Sequence, residues 1–384
     1  MTTAALLLVF GLAFLISGAD MLVRGASRLA AIAGIPPLVV GLTVVAFGTS
    51  APELAVSARS ALAGQSDIAL GNVVGSNIFN ILFILGIASL ITPISVSRQV
   101  VRQEVPIMIG VSLIGWLLSA NGVIGRLEGL LLLTGIATYT IFLIIQGRKT
   151  EKTDSEAINS KDKPEEKGNQ DVSADALPAK REIRSARSIM IAIAFVVAGL
   201  AFLVLGSGWL VDGAVRIARR YNVSELVIGL TIIAAGTSMP ELATSIVGAL
   251  KGERDIAVGN VVGSNVFNIL AVLGAASLFS SNGVGVSADA QAVDIPVMVA
   301  ASVVCLPIFF TGARISRLEG AFFLAGYIAY AIYLGLNATQ SRPSDSFTTA
   351  ILYVALPLSV IILTVSLVRE LFARRNRSHK DPSH

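Results

Sequence analysis

The chain is poor in the residues that most enzymes and metal centres use. Its 384 residues include one cysteine, Cys305, and two histidines, His379 and His384, which both stand in the last polar stretch. A single cysteine excludes a disulfide framework and a Cys-based metal site. The position of the histidines excludes His-ligated metal chemistry and a Ser-His nucleophile in the apolar part of the chain. We therefore expect no enzyme activity and no resident cofactor.

Charged residues are also scarce, at 14% of the chain against 54% for hydrophobic residues. Soluble domains are nearer a quarter charged, and apolar runs of about 20 residues, long enough to cross a bilayer, recur along this chain. The composition predicts an all-α polytopic membrane protein with the lipid bilayer as its solvent. The eleven predicted spans are approximately residues 3–32, 37–63, 67–93, 104–121, 126–146, 187–219, 225–250, 255–280, 290–312, 317–338 and 348–372.

Lysine and arginine are concentrated in two polar stretches. Ten lie between Arg148 and Arg187, and five lie between Arg369 and Lys380. Five spans precede the first stretch and six separate it from the second, so both face one side, which the positive-inside rule makes cytoplasmic. We expect a multi-pass protein of the cell (inner) membrane with its N-terminus outside. These charges are topogenic, so they predict neither nucleic-acid binding nor an obligate protein partner.

One segment of the sequence occurs twice. Residues 41–86 and 229–274 align without gaps at an offset of 188, with 31 identities in 46 positions. Weaker matches extend the unit to five spans, and because five is odd, the second copy enters the membrane from the opposite face. Such inverted repeats place transport sites at the repeat interface near the midplane. The predicted domains are a first five-helix repeat (1–146), a disordered linker (147–186), a second five-helix repeat (187–338), and an extra span with a basic tail (339–384).

Each copy places one carboxylate deep in an apolar run, at Glu53 and Glu241. A charge at that depth costs several kcal/mol, which favours a functional role. A proline precedes each glutamate and frees backbone carbonyls one turn earlier, around residues 46–48 and 234–236. Freed carbonyls at membrane depth are tolerated only inside protein or beside a cavity.

Hydroxyl and amide side chains accompany these acids at helical spacing. Thr49 and Thr237 precede the glutamates by four residues and share their helix faces. In the next span an Asn/Ser/Asn trio recurs every four residues, on a face that can point at the glutamates. The trios are Asn72, Ser76 and Asn80, and Asn260, Ser264 and Asn268. Together these groups form an all-oxygen set suited to Ca²⁺ and Na⁺. For Asn72 and Asn260, bridging of helices is the alternative to binding.

The paired motifs GTSAPE and GTSMPE, each followed by GNVVGSN, closely resemble the two alpha repeats of the calcium/cation antiporter superfamily. The sodium/calcium exchanger branch of bacteria and archaea is the most similar. The resemblance implies ten helices in two inverted halves, and Ca²⁺ exchanged against Na⁺ by alternating access. It also implies that the long spans at 3–32 and 187–219 slide over the core.

The resemblance further implies a set of ligands. The carboxylates of Glu53 and Glu241 would form a Ca²⁺ site with the backbone carbonyls of Thr49 and Thr237. Two Na⁺ sites would each combine a glutamate with its own copy: Ala46, Ser50 and Ser76 with Glu53, and Ala234, Ser238 and Ser264 with Glu241. Asn80 and Asn268 would lie at the centre. Some members carry an acid in place of Asn268, potassium-dependent relatives among them, so coupling to K⁺ is not expected.

Two other functions stay open. Two glutamates as the only central acids also occur in the cation/proton branch, so H⁺ is the alternative to Na⁺ as coupling ion. A cation channel, which would conduct Ca²⁺ without dependence on a counter-ion, is the less favoured alternative. Asp294, near the start of the ninth span, has no counterpart acid in the fourth in this interpretation and is left unassigned.

Overall fold

The computed structural model describes residues 2–161, 186–221, 234–310 and 313–338. The helices are α1 (Thr2–Ala33), α2 (Pro37–Thr49), α3 (Ala51–Leu62), α4 (Ser66–Ile91), α5 (Val100–Leu118), α6 (Arg126–Lys161), α7 (Ala186–Arg220), α8 (Ala234–Thr237), α9 (Met239–Leu250), α10 (Arg254–Phe279), α11 (Ala290–Phe310) and α12 (Arg317–Ala338). The strands are β1 (Ile94–Ser95), β2 (Val123–Ile124), β3 (Val284–Gly285) and β4 (Arg314–Ile315). The predicted span at 348–372 lies outside the described residues, as does the start of the span at 225–250.

Eight helices in the described part of the chain are long and apolar enough to cross a membrane, and α2 with α3 makes a ninth if the pair is one span. This confirms a helical, polytopic membrane protein. The predicted linker 147–186 is not wholly disordered, because α6 continues to Lys161. A helix already formed by an apolar stretch extends into polar residues at low cost, since nucleation is the expensive step. Residues 162–185 of that linker lie outside the described residues.

The span predicted at 37–63 is broken. α2 and α3 meet at an angle of 45°. Ser50 between them has φ −83° and ψ 7°, and Ser238 between α8 and α9 has φ −91° and ψ 11°, which are not helical values. Pro52 has no N–H to offer the carbonyl of Gly48 and so interrupts the helical ladder. The break places the first turn of a new helix inside the protein.

Two short antiparallel ribbons join the two copies of the repeated unit. β1 pairs with β4, and β2 pairs with β3. α4 begins at Ser66, which lies beside Gly285 of β3, and ends shortly before β1. α10 begins at Arg254, which donates to Ser95 of β1 at 2.9 Å, and ends shortly before β3. These two helices therefore run in opposite directions, and the 26 residues of α4 separate the ribbons by about 39 Å.

α1 and α7 form a tightly packed pair along a seam of glycines spaced seven residues apart. A Cβ on Gly18 would lie 2.8 Å from the carbonyl oxygen of Gly199, and a Cβ on Gly199 would lie 2.8 Å from the carbonyl oxygen of Gly18. Glycine lets two backbones approach this closely. The seam consists of Gly11, Gly18 and Gly25 on α1 and Gly199, Gly206 and Gly213 on α7.

Apolar side chains cover much of the outer surface, while polar side chains lie in the interior. Phe10 of α1 is 53% exposed and Leu318 of α12 is 84% exposed. By contrast, the apolar stretch of α10 is buried along its whole length. This reversal suits a protein surrounded by lipid, in which polar groups are hidden between helices.

Candidate cation site

Glu53 and Glu241 occupy the first turns of α3 and α9, directly after the two breaks, and both are fully buried. The hydroxyl of Ser238 donates to Oε1 of Glu53 at 2.9 Å, and the hydroxyl of Ser50 donates to Oε1 of Glu241 at 3.0 Å. Both bonds cross from one copy to the other. The two glutamates therefore belong to one shared site.

These crossed bonds change the predicted grouping of the serines. The family resemblance groups Ser50 with Glu53 of its own copy, but the Ser50 hydroxyl contacts Glu241. The bend after α2 turns the serine away from its own α3 and toward the broken helix of the other copy. Ser76 remains near Glu53 and hydrogen-bonds Ser238 at 3.1 Å. The corresponding Ser264 lies near Glu241.

Asn72 and Asn260 tie helices together around the glutamates. Asn260 accepts a hydrogen bond from the Thr49 hydroxyl at 3.0 Å, and its amide nitrogen donates to the backbone oxygen of Glu241 at 3.3 Å and to Ser245 at 3.1 Å. Asn72 makes the equivalent bonds to Thr237, the backbone of Glu53, and Ser57 at 3.3, 3.1 and 2.9 Å. The side-chain amides of Asn72 and Asn260 are therefore both used in hydrogen bonds that bridge helices. Sequence reasoning missed Ser57 and Ser245, although the repeat carries serine at both positions.

The proline frees fewer carbonyls than the sequence suggested. The carbonyl of Ala46 accepts the N–H of Ser50 at 3.0 Å and the hydroxyl of Thr49 at 3.4 Å, so it keeps its helical donor. The carbonyl that loses its donor is Gly48, because the residue four positions later is Pro52. A part for Ala46 in Na⁺ binding remains a prediction.

The two copies differ at this broken turn. In the second copy the carbonyl of Gly236 accepts the hydroxyl of Ser207 from α7 at 2.9 Å. The residue at the matching position of α1 is Ala19, which has no hydroxyl to give. Ala234 is the first residue of α8. The freed carbonyl is therefore occupied in one copy by a bond that the other copy cannot make.

Five buried oxygen atoms at the site have no hydrogen-bond partner among the described residues. They are Oε2 of Glu53, Oε2 of Glu241, Oδ1 of Asn80, Oδ1 of Asn268 and the hydroxyl of Ser264. Leaving buried acceptors unpaired costs about 1–3 kcal/mol each, so such atoms call for a partner. Oxygen atoms alone, two of them on carboxylates, match what a hard cation such as Ca²⁺ or Na⁺ requires. The described residues hold no group of three or more His, Cys, Asp or Glu able to bind a metal.

A buried acid, Glu104, and a half-buried acid, Asp294, lie apart from these groups. Glu104 accepts hydrogen bonds from Tyr139 at 2.8 Å and from Gln99 at 3.2 Å, and Asp294 accepts one from Tyr330 at 3.0 Å. Asp294 therefore does have a counterpart acid in the fourth span. The match was missed because these residues align at an offset of 190, two more than the repeated segment.

The fold and the site define a helical membrane protein with a buried cluster of oxygen groups between two copies of one segment. The model of the family "Sodium/calcium exchanger protein" matches residues 3–147 and 191–336. The chain belongs to the sodium/calcium exchanger family.

Individual relatives agree with this assignment. The chain is 33% identical over 356 residues to the sodium/calcium exchanger MaX1 of Methanosarcina acetivorans, covering 87% of this chain and 99% of MaX1. It is 39% identical over 280 residues to the inner membrane protein YrbG of Escherichia coli, covering 73% of this chain and 81% of YrbG. A solved structure of the sodium-calcium exchanger NCX_Mj superposes with a TM-score of 0.70 at 28% identity, covering 87% of this chain and 99% of NCX_Mj.

Proposed function

We propose that this protein is a secondary-active antiporter that exchanges Ca²⁺ against Na⁺ by alternating access at the site formed by Glu53 and Glu241. The observation that carries the proposal is the pair of fully buried carboxylates, each with one oxygen that has no donor among the described residues. The names of MaX1 and NCX_Mj, both sodium/calcium exchangers, support the choice of ions.

Charge balance couples the two fluxes. Two carboxylates carry two negative charges, which one Ca²⁺ or two Na⁺ neutralises. A site without ions leaves both charges uncompensated in an apolar interior, which costs several kcal/mol. The protein therefore changes between outward-facing and inward-facing states with ions bound and is held back when empty. The ions are substrates, and the proposal needs no further cofactor.

The ligands proposed for the cations are oxygen atoms from both copies. For Ca²⁺ they are the carboxylates of Glu53 and Glu241 and the backbone carbonyls of Thr49 and Thr237. For Na⁺ they are groups of Ala46, Ser50, Ser76, Ala234, Ser238 and Ser264 together with the two glutamates. Asn80 and Asn268 lie at the centre of the proposed site and face either cation. The crossed bonds of Ser50 and Ser238 support sites that draw on both copies at once.

The proposed architecture is two inverted five-helix repeats, residues 1–146 and 187–338. The opposite directions of α4 and α10 support it. The two ribbons support it as well, because each ribbon pairs a strand of the first copy with a strand of the second. In this arrangement the span predicted from the sequence at 348–372 would be an addition to the ten helices.

We place the end of the molecule near β1 and β4 in the cytoplasm. Exposed arginines gather there, among them Arg98, Arg254 and Arg314, and the positive-inside rule assigns such an end to the cytoplasmic side. The N-terminus is then outside, and the cell (inner) membrane is the proposed location. The inner membrane location in the name of YrbG supports this choice.

Flux measurements in reconstituted vesicles test the proposal. Vesicles loaded with Na⁺ take up ⁴⁵Ca²⁺ when the outside is Na⁺-free, and uptake stops when Na⁺ is equal on both sides. The variants Glu53→Gln and Glu241→Gln lose at least about 100-fold in uptake rate, because each removes half of the charge that holds Ca²⁺, an effect of about 2.7 kcal/mol or more. A matched control is Glu104→Gln, which alters a buried acid apart from the site and retains uptake.

The same vesicles distinguish the alternatives. Uptake that ignores the Na⁺ gradient and follows a pH gradient would reassign the protein to cation/proton exchange. Conductance of Ca²⁺ with no counter-ion would make it a channel.

A further inference from the structure

Asn77 and Asn265, which have no role in the proposed function so far, hydrogen-bond to the central asparagines Asn80 and Asn268. The amide nitrogen of Asn268 donates to Oδ1 of Asn77 at 3.1 Å, and that of Asn80 donates to Oδ1 of Asn265 at 3.5 Å. All four residues are at most 1% exposed, and both bonds cross between the copies. Asn77 and Asn265 occupy equivalent positions of the repeat. The bonds leave Oδ1 of Asn80 and of Asn268 without a donor among the described residues.

The side-chain amides of Asn77 and Asn265 are held in one orientation by groups that can only accept hydrogen bonds. The Asn77 nitrogen faces the backbone carbonyl of Asn265 at 3.4 Å and the sulfur of Met298 at 3.5 Å. The Asn265 nitrogen faces the sulfur of Met108 at 3.6 Å. Neither a carbonyl nor a thioether donates a hydrogen bond. Reversing either amide would turn its oxygen toward another acceptor. Each amide therefore keeps its nitrogen directed at the carbonyl or thioether acceptor.

This orientation passes on to the central amides. Because Oδ1 of Asn77 is held toward Asn268, Asn268 must present its nitrogen there and its oxygen on the opposite side. The same reasoning applies to Asn265 and Asn80. An amide can exchange its oxygen and nitrogen by a half-turn with almost no change of shape, so packing alone would not choose between the two. A reversed central amide would direct N–H groups at the cation.

We propose that Asn77 and Asn265 are positioning residues that hold the carbonyl oxygens of Asn268 and Asn80 toward the transported cation. The inference rests on the proposed function and extends it to residues that bind no ion themselves. Asn77 has the greater influence of the two, because it has two acceptor anchors and the shorter bond to its central partner.

Ca²⁺ binding to the purified full-length protein tests the proposal in two backgrounds. In the wild type, Asn77→Leu removes the acceptor for the amide nitrogen of Asn268. Ca²⁺ binding weakens about tenfold, because the oxygen of Asn268 is no longer held toward the cation. In an Asn268→Asp background, residue 268 has oxygen at both ends and needs no orienting. There Asn77→Leu changes the Kd by less than about twofold.

Asn265→Leu is the matched control, since it acts through Asn80. Its effect on the Kd persists in the Asn268→Asp background, whereas that of Asn77→Leu disappears. Asn77→Ala removes the same acceptor without adding apolar volume and carries the same expectation, in case the leucine variant does not fold.

The contrast between backgrounds decides the outcome. Equal losses for Asn77→Leu in both backgrounds, or an unchanged Kd in the wild-type background, would overturn the proposal in favour of a purely structural role. A wild type that binds no Ca²⁺ would overturn it as well. The expected pattern in a protein that shows no Na⁺-dependent exchange would support the positioning role and refute the antiport function alone.

Discussion

The serine in each broken turn connects its own copy to the carboxylate of the other copy. Ser50 and Ser238 each donate to the glutamate of the other copy, and both are fully buried. A hydrogen bond to a charged group contributes about 1.5–3 kcal/mol. The arrangement makes each glutamate depend on the other copy for a hydrogen bond.

Removing one of these hydroxyls tests that dependence. Ser50→Ala deprives Glu241 of a hydrogen-bond donor, so a carboxylate that is proposed to bind Ca²⁺ is held less firmly and the apparent KM for Ca²⁺ rises about tenfold. Uptake of ⁴⁵Ca²⁺ at varied external Ca²⁺ measures it. Ser89→Ala is the control, because that buried hydroxyl bonds only to the backbone of its own helix among the described residues. A KM for Ser50→Ala equal to that of Ser89→Ala would contradict the shared site.

Among the elements, the break between α2 and α3 determines where the carboxylate lies. Pro52→Ala restores the missing N–H and removes the clash with the preceding turn, so α2 and α3 tend to merge into one helix. We expect exchange to slow about tenfold while the thermal midpoint is unchanged or higher, because helix hydrogen bonding improves as site geometry worsens. Flux and thermal unfolding in detergent measure the two effects. Pro37→Ala, at a helix start, is the control, and wild-type exchange by Pro52→Ala would refute this role of the break.

The glycine seam between α1 and α7 permits a paired test. Gly199→Ala and Gly208→Ala both put alanine on α7, which alone favours the helix by about 1 kcal/mol. A Cβ at residue 199 meets the backbone of α1 at 2.6 Å, whereas a Cβ at residue 208 meets no atom within 4 Å. We expect a lower thermal midpoint for Gly199→Ala and an equal or higher one for Gly208→Ala. Equal shifts in the same direction would show that the seam does not hold the pair together.

The sequence predicts those elements whose cause is local. Glu53 and its proline stand out because a charge and a helix breaker are both costly in an apolar run. The contact between Ser50 and Glu241 could not be predicted, because it depends on how two bent helices cross. Asn77 was overlooked for a similar reason, since its proposed positioning role depends on acceptors in α10 and α11 of the opposite copy. The extent of α6 was missed because polar composition alone does not stop a helix that has already formed.

For the whole molecule, the two ribbons mark opposite ends, so chemical labelling can orient it. Cys305 is free but fully buried, so it should react little with a labelling reagent and should not obscure the labelling of introduced cysteines. Gln65 and Arg98 are exposed at the β2/β3 and β1/β4 ends respectively. We expect a membrane-impermeant maleimide to label Gln65→Cys in intact cells and Arg98→Cys only after the membrane is opened. The reverse pattern would invert the proposed topology.

The proposed antiport requires that one site, holding two buried negative charges, changes sides only when it is neutralised. Uptake of ⁴⁵Ca²⁺ into vesicles loaded with Na⁺, with unlabelled Ca²⁺ or with choline tests this requirement. We predict uptake into the first two, because either ion returns the site to the outside, and none above protein-free vesicles into the third. Equal uptake into choline-loaded vesicles would show that the empty site crosses freely and would contradict the account.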